Sequence, residues 1–161
     1  MFMAGNKIIS FISDFIDQSK QVQPNGVDLT VGKIMAFANT GQIDFDNSER
    51  HLPDYMDLEP QNNWYELKQG AYLVRYNEVV EIPSGFVGLL LPRSSLMRSG
   101  AIIFSALWDS GYKGRGVGML VVHNPYGIRI KQNARIGQIT FVKSEEVSKT
   151  YTGIYQNEEI S

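Results

Sequence analysis

Cysteine is absent from the 161 residues of this chain. Its absence excludes disulfide bonds, thiolate zinc sites and cysteine nucleophiles, and it is compatible with a reducing compartment. Imidazole is also scarce, because His51 and His123 are the only histidines. We therefore do not expect a transition metal held by protein ligands.

An excess of positive charge and a long apolar run are lacking as well. The formal net charge is −2, which offers no basic face for duplex nucleic acid, so an anionic ligand would need a local cluster of cations. No apolar run reaches the roughly 18 residues of a membrane span, and no signal peptide is recognisable. We expect one cytoplasmic domain over residues 1–161, with no membrane and no nucleic-acid partner.

Near the N-terminus, apolar residues recur at offsets of three and four, while polar and acidic residues take the other positions. This spacing predicts an amphipathic helix over residues 5–18. Its polar face is acidic rather than basic, which favours packing on the domain over binding to a membrane. The apolar positions are Ile8, Ile9, Phe11, Ile12, Phe15 and Ile16.

Residues 40–63 form a polar stretch with six carboxylates, two prolines and no sustained period. The spacing of the carboxylates fits no EF-hand loop, so we interpret the stretch as a long surface loop. The polar segment 144–161 at the C-terminus is predicted to be a tail that is mobile without a ligand.

The remaining chain consists of short apolar runs separated by glycine and proline, which predicts a mainly β sandwich or barrel rather than a βαβ fold. The predicted strands are 27–31, 64–67, 71–76, 79–82, 86–91, 101–108, 117–122, 128–130 and 136–142.

Most of the residues suited to chemistry lie between positions 91 and 122. Arg93, Ser94 and Ser95 directly follow the buried run 86–91, and one guanidinium with two hydroxyls can bind phosphate. The string from Asp109 to Gly114 is typical of a turn that joins two apolar runs. We interpret it as a hairpin with a carboxylate and an aromatic ring at its mouth.

Five segments resemble, in order and spacing, the motifs of the dUTPase and dCTP deaminase superfamily. The resemblance implies a distorted jelly-roll β-barrel of the β-clip type, a homotrimer with active sites shared between subunits, and a deoxynucleoside triphosphate as substrate. The segments are Gln23-Pro24-Asn25-Gly26-Val27-Asp28-Leu29, Arg93-Ser94-Ser95-Leu96, Asp109-Ser110-Gly111-Tyr112-Lys113-Gly114, Arg135-Ile136-Gly137-Gln138 and Tyr151-Thr152-Gly153-Ile154-Tyr155-Gln156.

The resemblance also implies roles for residues of the central stretch. Asp109 would orient and deprotonate the attacking water, although an aspartate at this position can also simply cap a turn. Tyr112 would pack against the deoxyribose and exclude a 2′-hydroxyl, although a strand tyrosine is more often a packing residue. Arg93, Ser94 and Ser95 would bind the phosphates. Arg98 occurs in the deaminase-like form Arg-Ser-Ser-Leu-x-Arg.

Four implied contacts lie outside the central stretch. Gln138 would bind phosphate, and Tyr155 and Gln156 would close over the bound nucleotide. Asp28 would lie near the triphosphate and contact its Mg²⁺ through water, or it would only hydrogen-bond a turn. The magnesium ion would be held chiefly by phosphate oxygens and water.

The hydrolase and deaminase branches differ at one position. The zinc-free deaminases of the superfamily use a glutamate three residues before an asparagine, and counting back from Asn124 places Val121 there. Zinc deaminases need cysteines, which this chain lacks. We therefore predict a Mg²⁺-dependent dUTP diphosphatase. The alternatives are a dCTP deaminase, a bifunctional deaminase and dUTPase, and a non-catalytic nucleotide-binding regulatory protein.

Two departures from the dUTPase motif affect this prediction. Ala106-Leu107-Trp108 stands where the motif usually has Gly-Val-Ile, and Gly111 replaces its second aspartate. The indole of Trp108 either fills the core or reshapes the pocket.

Overall fold

A computed structural model describes residues 1–145 and 149–160 of the chain. Strands account for most of its regular structure: β1 (Ile12–Ser13), β2 (Val22–Gln23), β3 (Gly26–Phe37), β4 (Tyr55–Asp57), β5 (Trp64–Leu67), β6 (Gly70–Tyr76), β7 (Val79–Glu81), β8 (Phe86–Pro92), β9 (Ala101–Phe104), β10 (Lys113–Gly114), β11 (Val117–Val122), β12 (Ile128–Lys131) and β13 (Arg135–Lys143). The helical segments are α1 (Gly5–Ile8), a 3₁₀ turn (Ile9–Phe11), α2 (Gln18–Gln21) and α3 (Ser94–Arg98).

The main sheet has the strand order β8-β13-β3-β6-β11-β9, and β2 and β4 also pair with β3. Two smaller sheets, β1-β7-β10 and β12-β5, complete the architecture. Every strand pair within these sheets is antiparallel. The prediction of a mainly β fold is confirmed.

A main-chain bridge between Gly88 and Trp108 brings the two edges of the main sheet together. Gly88 N donates to Trp108 O at 2.8 Å, and Trp108 N donates to Gly88 O at 3.1 Å. Gly88 lies in the edge strand β8, and Trp108 follows the other edge strand, β9. The main sheet is therefore nearly closed into a barrel, which removes most of its exposed edge.

The barrel interior is filled by side chains that alternate along the strands. In β11, for example, Gly118, Leu120 and Val122 are buried, whereas Met119 points outwards. Burying a large aliphatic or aromatic side chain contributes about 1.5–3 kcal/mol. The bulkiest fully buried apolar side chains are Tyr76, Phe141, Ile8, Leu29, Ile34, Ile82, Ile103, Leu120 and Ile139.

Strand β3 takes part in two regions of the sheet because it contains a bulge. It pairs with β13 up to Thr30 and with β6 from Val31 onwards, and the register shifts between Val31 and Lys33. Gly32 occupies this shift, where a Cβ atom would lie 3.1 Å from Arg75 O. The bulge bends the strand, as is typical of barrel corners.

The predicted helix over residues 5–18 is wrong in its extent. Helical turns cover only Gly5–Ile8 and Ile9–Phe11, after which Ile12 pairs with Val80 as a strand. Asp14 then adopts a left-handed conformation with φ of 60°, which an α-helix cannot contain. Pairing with the open edge of β7 satisfies backbone groups of this segment, and β-branched Ile12 suits a strand.

The segment between β3 and β5, predicted as a loop over residues 40–63, contains the strand Tyr55–Asp57. This strand pairs with residues 35–37, so the chain returns to the sheet before it reaches β5. Within the ranges that the structure describes, no helix has the length and apolar character needed to cross a membrane.

Candidate active site

Arg93, Ser94 and Ser95 lie at the junction of β8 and the short helix α3. Arg93 is the residue that precedes the helix, and its N–H donates to Ile136 O at 3.0 Å. Leu96 is buried and anchors the helix to the barrel, so Ser94 and Ser95 are exposed on its first turn. Arg98 is exposed in the last turn of the same helix.

The side chain of Asp28 joins two arginines and a glutamine. Arg93 Nε lies 3.1 Å from Asp28 Oδ2, and Arg135 Nη1 lies 3.3 Å from the same oxygen. Gln138 Nε2 donates to Asp28 Oδ1 at 3.3 Å. Asp28 is only 1% exposed. It therefore contacts these three side chains from the protein interior, and their outer faces remain partly accessible to solvent.

Burial raises the pKa of the Asp28 carboxyl, and the charge of Arg93, the hydrogen bond from Gln138 and the charge of Arg135 oppose the rise. Both oxygens of the carboxylate are already occupied by these donors. These contacts hold Asp28 in an ion-pair network, and its water-mediated contact with magnesium stays a prediction.

Arg135 belongs to the cluster although it was not among the residues predicted to bind the ligand. In a regular strand, residues three apart point to opposite faces, which would separate Arg135 from Gln138. The register between β13 and β3 shifts between Arg135 and Gly137, so that Arg135 faces Thr30 and Gln138 faces Asp28. The bulge thus places Arg135 on the same face of the strand as Gln138. Gly137 in the motif is the sequence feature that could have predicted the bulge.

Asp109 lies on the segment between β9 and β10, and its side chain is exposed. Its carbonyl oxygen accepts a hydrogen bond from Tyr112 N at 3.1 Å, which closes a turn. The preceding residue, Trp108, is buried, and its ring packs at 5.4 Å from the ring of Tyr112. Trp108 therefore fills the core, which decides between its two predicted roles.

The ring of Tyr112 is covered from two directions. Besides Trp108, the ring of Tyr151 from the C-terminal segment contacts it edge-on with centroids 5.5 Å apart. Tyr112 is 7% exposed, and this burial raises the pKa of its hydroxyl. A deoxyribose can therefore meet the ring of Tyr112 only if Tyr151 moves away.

The described part of the C-terminal segment, residues 149–160, packs on the hairpin of its own chain. Tyr151 N donates to Ser110 O at 2.8 Å, and Asn157 N donates to Lys113 O at 2.8 Å. The tail was predicted to be mobile over residues 144–161. Residues 146–148 and 161 lie outside the described residues, and the mobility of the rest remains a prediction.

Gln156 and Tyr155 were predicted to close over a nucleotide. The carboxamide of Gln156 instead bridges the hairpin main chain, because its Nε2 donates to Gly111 O at 3.0 Å and its Oε1 accepts from Lys113 N at 3.2 Å. Tyr155 is 39% exposed. The tail is held further by ion pairs of Arg75 with Glu158 and Glu159.

The structure separates Asp109 from the Arg93 cluster within one chain. The antiparallel bridge places Trp108 beside Gly88, so Asp109 continues away from the end of β8 that carries Arg93. Gly88 and Arg93 are five positions apart along β8 and its continuation, which corresponds to about 16 Å at roughly 3.3 Å per residue. One chain therefore brings Arg93, Arg135 and Gln138 together with Asp28, but not with Asp109.

The described residues do not form a protein cage for a metal ion. Among residues 1–145 and 149–160, no group of three or more His, Cys, Asp or Glu side chains is placed to hold one. A divalent cation at this site would need most of its ligands from a bound anion and water.

A comparison with solved structures identifies the architecture. A 2′-deoxycytidine 5′-triphosphate deaminase from Agrobacterium tumefaciens has a similar fold, with a TM-score of 0.67 and 21% sequence identity over 87% of this chain. The matched part is 48% of that deaminase, so this chain spans about half its length. At this level of sequence identity the likeness shows that the two chains share a fold.

Sequence comparisons identify the family. The dCTP deaminase-like family model matches residues 3–144, and the chain therefore belongs to this family. A relative from Methanosarcina mazei is 46% identical over 91% of this chain and 87% of its own length, and it is named a probable deoxyuridine 5′-triphosphate nucleotidohydrolase. A relative from Methanocaldococcus jannaschii, named a deoxyuridine 5′-triphosphate nucleotidohydrolase, is 37% identical over 97% of this chain and 99% of its own length.

Proposed function

We propose that this protein is a dUTP diphosphatase, which hydrolyses dUTP to dUMP and pyrophosphate. The observation that carries the proposal is the cluster in which the buried Asp28 carboxylate contacts Arg93, Arg135 and Gln138. Two fixed guanidinium groups beside the exposed hydroxyls of Ser94 and Ser95 suit an oligophosphate. The names of the relatives support dUTP as the nucleotide.

In the proposed reaction, Asp109 orients a water molecule and accepts one of its protons. The water oxygen forms a bond to the α-phosphorus, the bond from that phosphorus to the bridging oxygen breaks, and pyrophosphate leaves with the electron pair. Arg93, with Arg98 nearby, pairs with the negatively charged phosphates before and during this step. The exposed position of Asp109 leaves its carboxylate accessible to water and nucleotide.

We further propose a homotrimer in which each site takes its phosphate-binding residues from one chain and Asp109 from a neighbour. The estimated main-chain separation of about 16 Å along β8 supports this, because it places Asp109 and Arg93 toward opposite ends of that strand. Outward-facing apolar residues of the barrel also support an interface between copies. These residues are Leu89, Leu91, Phe104, Leu107 and Met119.

Magnesium would enter as the Mg²⁺ complex of dUTP, held by phosphate oxygens and water. The ion supplies positive charge to the phosphates, and the residues of this chain bind and orient the complex. Tyr112 would contact the deoxyribose after Tyr151 is displaced. Tyr155 and Gln156 would then reach the nucleotide from the released tail.

A second candidate is a dCTP deaminase or a bifunctional enzyme, which the description of the family model favours. Deamination needs a group that shuttles protons at the base. Val121, at the position of the deaminase glutamate, pairs with Ile102 and Ala71 in the middle of the sheet and has no such group. No glutamate occurs between Glu81 and Glu145 in the sequence. This chemistry favours the hydrolase.

The deciding experiment incubates the protein with Mg²⁺ and separately with dUTP, dCTP, dTTP and UTP, and it follows pyrophosphate, ammonia and nucleotide products by chromatography. We expect pyrophosphate and dUMP from dUTP, with UTP and dCTP unchanged. Ammonia from dCTP would support the deaminase. Binding of dUTP without turnover would support a non-catalytic regulatory protein.

A further inference from the structure

A buried carboxylate outside the candidate site is connected to it by hydrogen bonds. Glu78 lies in the short turn between β6 and β7 and is 0% exposed. No salt bridge involves its side chain among the described residues. A buried carboxylate without a cation is expensive unless hydrogen-bond donors surround it.

Three donors surround Glu78. Its Oε1 accepts from Gln21 Nε2 at 2.7 Å and from the hydroxyl of Thr30 at 2.6 Å, and its Oε2 accepts from Thr30 N at 2.9 Å. The Thr30 hydroxyl itself accepts from Asn77 Nδ2 at 2.9 Å, so its own hydrogen is directed to Glu78. Because the three donors are divided between Oε1 and Oε2 of Glu78, both oxygens must act as acceptors. The ionised carboxylate provides an acceptor at each of them.

One connection from Glu78 to the phosphate-binding cluster runs through Gln21. The Nε2 of Gln21 donates both to Glu78 and to the main-chain oxygen of Asp28, the latter at 2.9 Å. Its Oε1 accepts from Asp17 N at 2.9 Å, so every polar atom of this buried amide is used. The neighbouring carbonyl of Lys20 accepts a hydrogen bond from Arg135.

The other connection runs through Thr30. Thr30 lies two residues from Asp28 on β3 and pairs directly with Arg135 on β13. Glu78 accepts hydrogen bonds from both the main-chain N–H and the hydroxyl of Thr30. The hydrogen bond from the main-chain N–H holds β3 next to the point at which its pairing register changes. The two connections meet at the ion pair of Asp28 and Arg135.

We propose that Glu78 is a positioning residue for the phosphate-binding arginines. It holds Gln21 and Thr30, which fix the Asp28 carboxylate and the Lys20 carbonyl, and these two acceptors orient Arg93 and Arg135. The role in catalysis rests on the proposed function, because it takes the two arginines to be ligands of the nucleotide phosphates. The orientation of the arginines does not depend on that assignment.

The substitution Glu78→Gln tests the role with little change in shape. A carboxamide offers an acceptor at only one of its two positions, so an NH₂ group must face either Thr30 N or the donors at Oε1. For dUTP hydrolysis we expect KM to rise about tenfold and kcat to change less than about twofold, because the arginines bind the phosphates in the ground state and the transition state alike. Glu66→Gln, at an exposed and remote carboxylate, is the matched control and should leave both constants unchanged.

A second measurement needs no nucleotide. The Nε atom of Arg93 lies 3.1 Å from Asp28 Oδ2 in an ion pair, so the ¹H–¹⁵N signal of this Nε–H group, assigned by its loss in Arg93→Lys, should be sharp in the native protein. We expect this signal to broaden or disappear in Glu78→Gln and to stay sharp in Glu66→Gln. Thr30→Val removes the hydroxyl that donates to Glu78 and accepts from Asn77, and it keeps the Thr30 N–H donor. It should shift the signal in the same direction, which covers the case in which Glu78→Gln does not fold.

The outcomes separate the two proposals. A native protein that is inactive on dUTP would disprove the proposed function. The Arg93 signal would still test the positioning role of Glu78. An unchanged Arg93 signal in a folded Glu78→Gln protein would overturn the positioning role. In an active enzyme, the KM effects of Glu78→Gln and Asp28→Asn should also be less than multiplicative, since both act through one carboxylate. Fully multiplicative effects would contradict the inferred connection.

Discussion

Gly88 and Trp108 exchange two main-chain hydrogen bonds, and this bridge determines where the proposed catalytic residue lies relative to the phosphate-binding cluster. It fixes Asp109 beside the start of β8, whereas Arg93 follows the end of that strand. This separation is the reason for the proposal that a second copy of the chain completes the site.

Mixed oligomers test this arrangement. Arg93→Ala and Asp109→Asn should each be inactive alone, but co-assembled trimers should regain up to about a quarter of native activity, because a quarter of the interfaces then combine two intact halves. The measurement is dUTP hydrolysis after the two variants are co-expressed. Arg93→Ala mixed with Ser94→Ala is the control and should show no more activity than the two variants measured separately, since both residues lie on the same half. No recovery in the first mixture would contradict a shared site.

Replacement of the proposed base tests the chemistry. Asp109→Asn should lower kcat for dUTP by about 10²–10⁴-fold with little change in KM, because the carboxamide cannot accept the proton of the water. Product chromatography gives both constants. Asp57→Asn, at an exposed aspartate that pairs with Lys33, is the control and should keep native activity. Full activity of Asp109→Asn would disprove the mechanism.

The docked C-terminal segment can be tested by hydrogen exchange. Gln156→Ala removes the acceptor of the Lys113 N–H, so exchange of that amide should become about tenfold faster. The measurement is hydrogen–deuterium exchange of the protein without nucleotide. Thr152→Ala, at an exposed position of the same segment, should leave the rate unchanged. An equal exchange rate in the native and Gln156→Ala proteins would show that the hydrogen bond between Gln156 and Lys113 N is absent in solution.

The pH dependence of stability tests the environment of Glu78. Burial raises the pKa of its carboxyl above the ordinary value of 4.5, although hydrogen bonds from Thr30 and Gln21 oppose the rise. A raised folded-state pKa means that the native state binds the proton more tightly than the unfolded state. The contribution of Glu78 to the free energy of unfolding should therefore decrease as the pH rises from 4.5 through the folded-state pKa.

Denaturant unfolding of the native protein and Glu78→Gln between pH 4 and 7 measures this contribution. The difference between the two curves cancels the titration of other groups, and we expect it to change with pH only in that window. A pH-independent difference would show that the pKa of Glu78 is not raised. Glu66→Gln provides the reference for an exposed carboxylate.

Local patterns in the sequence were sufficient to predict most of the strands, the order of the motifs and the chemistry that is available. Alternating apolar residues within a run such as Val27–Val31 indicate a strand because successive side chains on a strand point to opposite faces. The sequence also places valine at position 121, so it predicted a hydrolase rather than a deaminase. These features depend only on residues close together in the chain.

Contacts between distant parts of the chain became known only from the folded structure. The apolar spacing of residues 5–18 suited a helix, but the free edge of β7, about 65 residues further along, paired with Ile12. Arg135 joined the cluster because a bulge rotated it toward Asp28, and Tyr112 was covered because the tail folded back on it. Strand pairing, bulges and buried ion pairs depend on partners distant in sequence, which a local pattern does not specify.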